Sequence, residues 1–367
     1  MNEPRLAILI HGGPGSIEAY RARGLSRAYP SDKLLLLMRE STRQAAAQQW
    51  RRQIKQFSPD LLYVLNLALP GAWLALWWRR VHRLPFILDT GDVNFEMARS
   101  AGTTAWWKRP FLKWLEVANQ RWAETIVVRG TRHREYLQSR NYRRVEVIRD
   151  GFCQAGEISS ADVATLRAKL GLADRFVVGV MGSLVYSARL NICYGWDLIQ
   201  ALSLLKELPI HGLIIGDGDG RSWLEKEARR YGVMERITFC GRIPYPDVPL
   251  YLRVLEVALS TQTNNLPGQV RTTGKLPEYM AAERFVLASR VGEAELLLPD
   301  CMLVEYHGEV DAEYPHRLAE RLRALCANRS LLEARHSLKA VAERHCSYAV
   351  LSQQFSRLVA SVITARR

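Results

Sequence analysis

Cysteine is scarce in this chain of 367 residues: there are six, Cys153, Cys193, Cys240, Cys301, Cys326 and Cys346, scattered with no C-x-x-C pair and no histidine at metal-ligand spacing. That excludes a disulfide frame and a structural zinc site as what holds the fold, and it suits reduced thiols in the cytoplasm. Long apolar runs are missing too. The longest candidate, residues 61–78, is interrupted by Asn66, Pro70 and Gly71, so it reads as strand, turn and helix, and no transmembrane helix is expected. Residues 6–10 are the only apolar stretch near the start before a glycine loop, too short for a signal peptide. Acidic side chains are few in the first half. Residues 1–155 carry 25 Lys/Arg against 13 Asp/Glu, and the remainder carries 26 against 24, so the first half holds +12 of the +14 net charge. Such an excess suits an anionic partner, namely lipid head groups, a lipid-linked phosphate or nucleic acid, or a basic surface kept for solubility.

What is present is an alternation. A chain of this length suits two domains, and nearly half its residues are apolar. Residues 5–10 read as a strand, His11-Gly12-Gly13-Pro14-Gly15-Ser16 as a glycine turn and 17–29 as a helix. Strands follow at 33–38, 60–65, 86–89, 124–129 and 145–148, with helices at 44–57, 71–82 and 131–138 between them. Strands alternating with helices predict an α/β fold with parallel sheets covered on both faces. The loop Asp89-Thr90-Gly91-Asp92, at the carboxyl end of the fourth strand, is then expected to face a ligand cleft. Capping of the next helix by Asp92 is the equal alternative. Gly151, after the sixth strand, is expected to adopt a turn with positive φ.

The stretch from Thr103 to Ala123 interleaves Trp106, Trp107, Phe111, Trp114 and Trp122 with Lys108, Arg109 and Lys113. Tryptophans among cations suit the head-group level of an anionic membrane. The three- and four-residue spacing of Trp107, Phe111, Trp114 and Leu115 equally suits a core-facing stripe.

The second half restarts the plan. A strand at 175–181 is followed by Gly182-Ser183-Leu184, and another at 212–215 by Gly216-Asp217-Gly218. The segment 271–289 then places a Thr272-Thr273-Gly274 turn ahead of a short helix and the buried strand Phe285-Val286-Leu287-Ala288. The start of that helix, at residues 272–275, gathers unpaired N–H groups and the positive end of the helix dipole, which favours phosphate oxygens. Glu278, about one turn in, can accept hydrogen bonds from the hydroxyls of a ribose. An ordinary amphipathic helix with a solvated Glu278 is the plainer reading.

The run Lys275-Leu276-Pro277-Glu278-Tyr279-Met280-Ala281-Ala282 resembles the K-L-x-E-Y-M-A block of glycosyltransferase family 4 and its relatives. Val147-Ile148-Arg149-Asp150-Gly151 resembles the V-I-P-N-G exit from their first domain. The resemblance implies the GT-B fold: two Rossmann-like domains with parallel sheets facing across a cleft, and a C-terminal helix crossing back to the first domain. The expected division is 1–155 for the acceptor, 156–345 for the donor and 346–367 for the returning helix. It implies a retaining sugar transfer from a nucleotide diphosphate to a hydroxyl on a glycan or lipid-linked saccharide, with no metal or other cofactor. In this reading the donor meets Gly12, Gly13, Gly182, Ser183, Gly216, Gly241, Arg242, Thr272, Thr273, Gly274, Lys275, Leu276 and Glu278. Catalysis is assigned to Asp92, Arg189, Lys275 and Glu278, with Arg189 and Lys275 at the diphosphate and Glu278 at the ribose. His11, Asp89 and Asp92 are assigned to the acceptor. Two departures bear on activity: Val270 stands where many members have a second Glu, and Gly91 where many have a His.

A cytoplasmic protein, peripheral on the inner face of a membrane through the Trp106 to Trp114 region, is expected. Its rivals are a catalytically weak carbohydrate-binding GT-B protein, motivated by Val270 and Gly91, and a nucleic-acid-binding protein, motivated by charge alone and lacking any recognised module. Gly13-Pro14-Gly15 with Glu40 imitates a dinucleotide fingerprint, but Glu18 stands where its third glycine belongs.

Overall fold

A computed structural model describes residues 3–102, 104–154 and 156–366. The start of the aromatic stretch at Thr103 and the expected domain boundary at Ala155 lie outside the described residues.

The first sheet contains β1 (Leu6–Ile10), β2 (Leu34–Met38), β3 (Leu61–Leu65), β4 (Phe86–Thr90), β5 (Thr125–Val128) and β6 (Val145–Val147). They lie in the order β2-β1-β3-β4-β5-β6, and every pairing is parallel. Every residue of β1, β3, β4 and β5 is buried, as their continuous apolar sequences require in a sheet with helices on both faces. The second half contributes β7 (Phe176–Met181), β8 (Tyr186–Ser187), β9 (Ile192–Cys193), β10 (Ile210–Ile215), β11 (Ile237–Gly241), β12 (Val257–Ser260), β13 (Phe285–Ser289) and β14 (Leu303–Val304). Six of these form a parallel sheet in the order β11-β10-β7-β12-β13-β14. The remaining two, β8 and β9, make a small antiparallel hairpin, so the long connection after Gly182 has structure of its own.

In each sheet the strand order reverses beside the opening strand, at β1/β3 and at β7/β12. Crevices form at such switch points beyond the carboxyl ends of the strands. The two edges face each other and enclose a cleft of about 1610 Å³ lined from both sides. This is the GT-B architecture, including its returning helix. The last helix, Tyr348–Thr364, buries Leu351, Phe355, Val359 and Val362 in one cluster with Leu6, Ile8 and Ile10 of β1 and Ala19 and Ala22 of the helix after it.

Two glycines make room for that crossing. A Cβ on Gly24 would lie 2.3 Å from the Tyr348 ring, and one on Gly151 would lie 2.5 Å from it. Gly151 is absent from the residues with positive φ, so its expected left-handed turn is corrected: it is close approach of Tyr348, not backbone twist, that leaves no space for a side chain. The first helix also ends early, at Leu25, where Ser26 closes it.

The run 61–78 resolves into β3 and the helix Gly71–His82, as its interruptions predict. No helix among the described residues is long and apolar enough to cross a membrane. The aromatic stretch forms a 3-10 turn, Trp106–Lys108, and the helix Arg109–Trp122, which turns Leu115, Glu116, Asn119 and Gln120 inward. Trp106, Trp107, Phe111 and Trp114 are 78%, 62%, 48% and 51% exposed, so the core-facing alternative is overturned for Trp107, Phe111 and Trp114 and holds for the buried Leu115. Trp73 of the neighbouring helix joins them, its ring centroid 6.0 Å from that of Trp114.

Gly151→Ala is expected to push Tyr348 out of its seat and to lower stability by about 1–3 kcal/mol, the usual cost of overpacking. Denaturant unfolding measures it, and an unchanged midpoint would show that Tyr348 is not what joins the last helix to the first domain.

Candidate functional site

The second-domain wall is built from three strand ends. Gly182 and Ser183 follow β7, Gly216 follows β10, and the Thr272-Thr273-Gly274 turn follows β12 by way of the short helix Leu266–Val270. All of them line the cleft together with Lys275, Glu278 and Arg242. The two glycine loops touch, because a Cβ on Gly216 would lie 1.9 Å from the Gly182 carbonyl oxygen. The helix begins at Lys275 after Gly274 and no side chain caps it; Leu276 N–H donates to the Thr273 carbonyl at 3.1 Å and Pro277 has no N–H, so the amides left to whatever enters the cleft are those of Gly274 and Lys275. Gly241 and Leu276, expected in the donor set, do not line the cleft; Leu276 is buried in the second-domain core.

Two charged groups on this wall are held unusually. The Lys275 ammonium lies 3.4 Å from the centroid of the Tyr194 ring, a cation–π contact, and no carboxylate among the described residues pairs with it. Burial, with Arg271 nearby, pushes its pKa well down. Glu278 is buried and accepts from the Tyr245 hydroxyl at 2.5 Å and from the Cys153 N–H at 3.1 Å and 3.2 Å. Burial outweighs those bonds and raises its carboxyl to about 7. A carboxylate has about four acceptor directions, so these partners leave capacity for a further donor.

The opposite wall differs from expectation. Gly15, Ser16, Ile17 and Glu18 line the cleft, whereas His11, Gly12 and Gly13 do not. The glycine turn directs its far side inward, and Gly12 is occupied in accepting the Arg39 N–H at 3.2 Å. Asp89 is wholly buried and absent from the lining. Its Oδ2 accepts from Arg21 Nε at 3.0 Å, Arg21 Nη2 at 2.8 Å and the Tyr63 hydroxyl at 2.6 Å. Burial alone would raise the carboxyl, but Arg21, Arg129 and Tyr63 leave it below the ordinary value. The acceptor role is therefore withdrawn from Asp89, which organises the wall from behind.

Asp92 does line the cleft, and it reaches across to Arg271 at 3.1 Å. It does not cap the following helix; Glu116 accepts from the Asn94 and Phe95 N–H groups at 2.7 Å and 3.1 Å instead. Arg189 is corrected as well. It lies off the cleft lining, donating to Ser100 of the first domain and to both oxygens of Glu309 at 2.7 Å and 2.8 Å, so its charge is already answered. Val270 is buried and stands outside the lining, which at this turn comes from Gly268 and Arg271.

Sequence reasoning missed Arg21, Arg129, Asp150, Tyr194 and Tyr245, all in the lining. Asp150 sat in the quoted exit motif and Arg129 at the end of an expected strand. Position at a strand's carboxyl end was the available signal for both.

Residues 175–328 match the family described as glycosyl transferases group 1. No curated protein matches the chain by sequence. Among solved structures, HepE of Anabaena in complex with UDP-glucose is 17% identical, with 97% of this chain and 99% of that one covered at a TM-score of 0.77. The sucrose-phosphate synthase of Thermosynechococcus elongatus is 16% identical, with 99% and 100% covered at a TM-score of 0.76. WaaG, a glycosyltransferase involved in lipopolysaccharide biosynthesis, is 14% identical, with 96% and 99% covered at a TM-score of 0.68.

Asp89→Asn leaves the buried Arg21 and the half-buried Arg129 short of a negative partner and is expected to cost about 3–5 kcal/mol of stability. Thermal and denaturant unfolding check this; a stable variant altered only in its acceptor KM would restore Asp89 to the binding set.

Proposed function

From a second domain that matches the glycosyl transferases group 1, on a chain with the GT-B fold, we propose that this protein transfers a sugar, with retention, from a nucleotide diphosphate to a hydroxyl of a glycan or lipid-linked saccharide. The observation that carries the reading is the convergence of Gly182, Ser183, Gly216, Thr273, Gly274, Lys275 and Glu278 on one wall of a two-domain cleft. Their chemistry fits the three parts of such a donor. Glu278 takes the ribose hydroxyls, the uncapped helix start and Lys275 take the diphosphate, and the first-domain wall faces the sugar and the acceptor.

The bond between anomeric carbon and phosphate breaks with its electron pair going to the diphosphate. Lys275 and the N–H groups after Thr273 stabilise the charge that develops there. The acceptor hydroxyl attacks the face the phosphate has left and gives its proton to a phosphate oxygen. An unpaired buried ammonium is costly in the free protein and gains its counter-charge when the donor binds, so binding energy is concentrated where the leaving group forms. The reading needs no metal, and turnover is expected to persist in a chelator. The rival, a GT-B protein that binds sugar nucleotides without transferring, predicts binding with no turnover.

UDP or GDP at about a hundred times its dissociation constant should add about 2.7 kcal/mol of stability, and NAD none. Glu278→Ala should remove most of that gain. The sign with pH follows from the raised carboxyl. In the free protein, stability contributed by Glu278 is greatest below about 4.5 and is lost as pH rises through about 7. Nucleotide binding runs the other way: it needs the carboxylate as acceptor and should weaken as pH falls through about 7 in the wild type more than in Glu278→Gln. Identical pH profiles for the two would remove Glu278 from the ribose.

The exposed Trp106, Trp107, Phe111 and Trp114, with Lys108 and Lys113 among them, support a cytoplasmic protein docked peripherally on an anionic membrane. Sedimentation with vesicles of about one-third phosphatidylglycerol, and not with purely zwitterionic ones, is expected, and Trp106→Ser/Trp107→Ser should abolish it. Binding to oligonucleotides but to neither vesicle would favour the nucleic-acid rival.

A further inference from the structure

We infer that Arg129, which fills the space beside Gly91 in the cleft, contacts the transferred sugar, and that this contact suits a neutral, hydroxyl-bearing sugar. The inference rests on the sugar-transfer reading above and adds to it a residue and a substrate class.

Three observations meet at one point. Gly91, at the carboxyl end of β4, is buried and lines the cleft. Space beside it is not empty: a Cβ at 91 would lie 2.9 Å from each of Cδ, Nε and Cζ of Arg129. Arg129 arrives from the next strand over, immediately after β5, and it also lines the cleft. A Cβ at 91 therefore requires the guanidinium to shift from its present position.

The guanidinium is held but not consumed. Nη2 donates to Asn66 Oδ1 at 2.6 Å, while Nη1 is 3.5 Å from Asp150 and Nε 3.5 Å from Asp89, and Nε is left without a hydrogen bond. Five N–H groups on a planar fork leave donors for a ligand in the cleft. Asn66 in turn donates to Glu18 at 3.4 Å, another cleft residue, so the fork is braced from the side away from Asp150.

Charge decides what it suits. Arg21 and Arg129 face Asp89 and Asp150, two cations against two anions, all paired within 3.5 Å. This cluster carries no spare positive charge, and Asp92 at its rim is already paired with Arg271 of the opposite wall. A carboxylate-bearing sugar would gain little there, whereas hydroxyls find donors on Arg129 and acceptors on Asp92 and Glu18.

The test uses the full-length protein, UDP- and GDP-hexoses, UDP-glucuronate, and the nucleotide-induced rise in melting midpoint as a separate readout. Gly91→Ala leaves Arg129 in the chain but forces its guanidinium aside. It should lower turnover of the hexose donor about tenfold or more, mainly in kcat, with the midpoint rise from the free nucleotide diphosphate unchanged. Arg129→Gln should do the same, and the wild type should turn over the hexose donor in preference to the glucuronate. Should Arg129→Gln fail to fold, Gly91→Ala decides alone. Turnover within twofold of wild type in folded Gly91→Ala would overturn the inference, as would a fall in turnover matched by an equal fall in nucleotide affinity, or a preference for the glucuronate. A wild type that neither binds nucleotide nor turns over any donor instead defeats the sugar-transfer reading, an outcome separable from these.

Discussion

The first-domain wall depends on one buried arginine. Arg21 donates to Asp89 at the end of β4, to Asp150 beyond β6, and to the backbone carbonyls of Ile148 and Arg149 at 2.9 Å and 2.6 Å. It sits on the helix after β1, so a single guanidinium ties the helix on one side of the switch point to strand ends on the other. Burial works against its charge, but Asp89 and Asp150 outweigh that cost and hold it cationic. Buried ion pairs of this kind add little net stability over apolar packing, yet losing one partner is severe. Their value here is geometric: the carboxyl edge of the sheet is fixed where it forms one wall of the cleft.

The two walls are built on opposite electrostatic plans. Arg21 and Arg129 of the first are matched by Asp89 and Asp150, so that cluster offers directional hydrogen bonds without net charge. The second leaves Lys275 over an aromatic ring and a helix start uncapped. A ligand carrying a diphosphate at one end and neutral hydroxyls at the other has only one favourable orientation between them. Orientation is thereby settled by charge pairing before any sugar-specific contact is made.

Much of this was legible locally. Strand, glycine loop and helix repeat within short windows, and the K-L-P-E-Y-M run joins a turn, a helix start and an acid in consecutive residues, so reading them needed no tertiary knowledge. The rest was written in pairings far apart in sequence. Arg21 bonds to residues 68 and 129 positions away, and nothing near it marks it as special. Asp89 and Asp92 looked alike from sequence, three positions apart at one strand end, but one is walled in by Arg21 and Tyr63 while the other reaches the opposite domain. Arg189 had the right chemistry for a phosphate and was claimed by Glu309, 120 positions away. Local pattern locates a loop at the cleft edge; only the fold decides which of its side chains is free.

The seat of Tyr348 between Gly24 and Gly151 bears on how the protein comes into being. The core beneath β1 is closed by Leu351 and Phe355, which are synthesised after the whole second sheet, so a nascent first half emerges with that apolar face uncovered. The second domain is made, and free to collapse, before the first can be sealed. Neither half is then a detachable module, and packing of the returning helix becomes the step that seals the first domain.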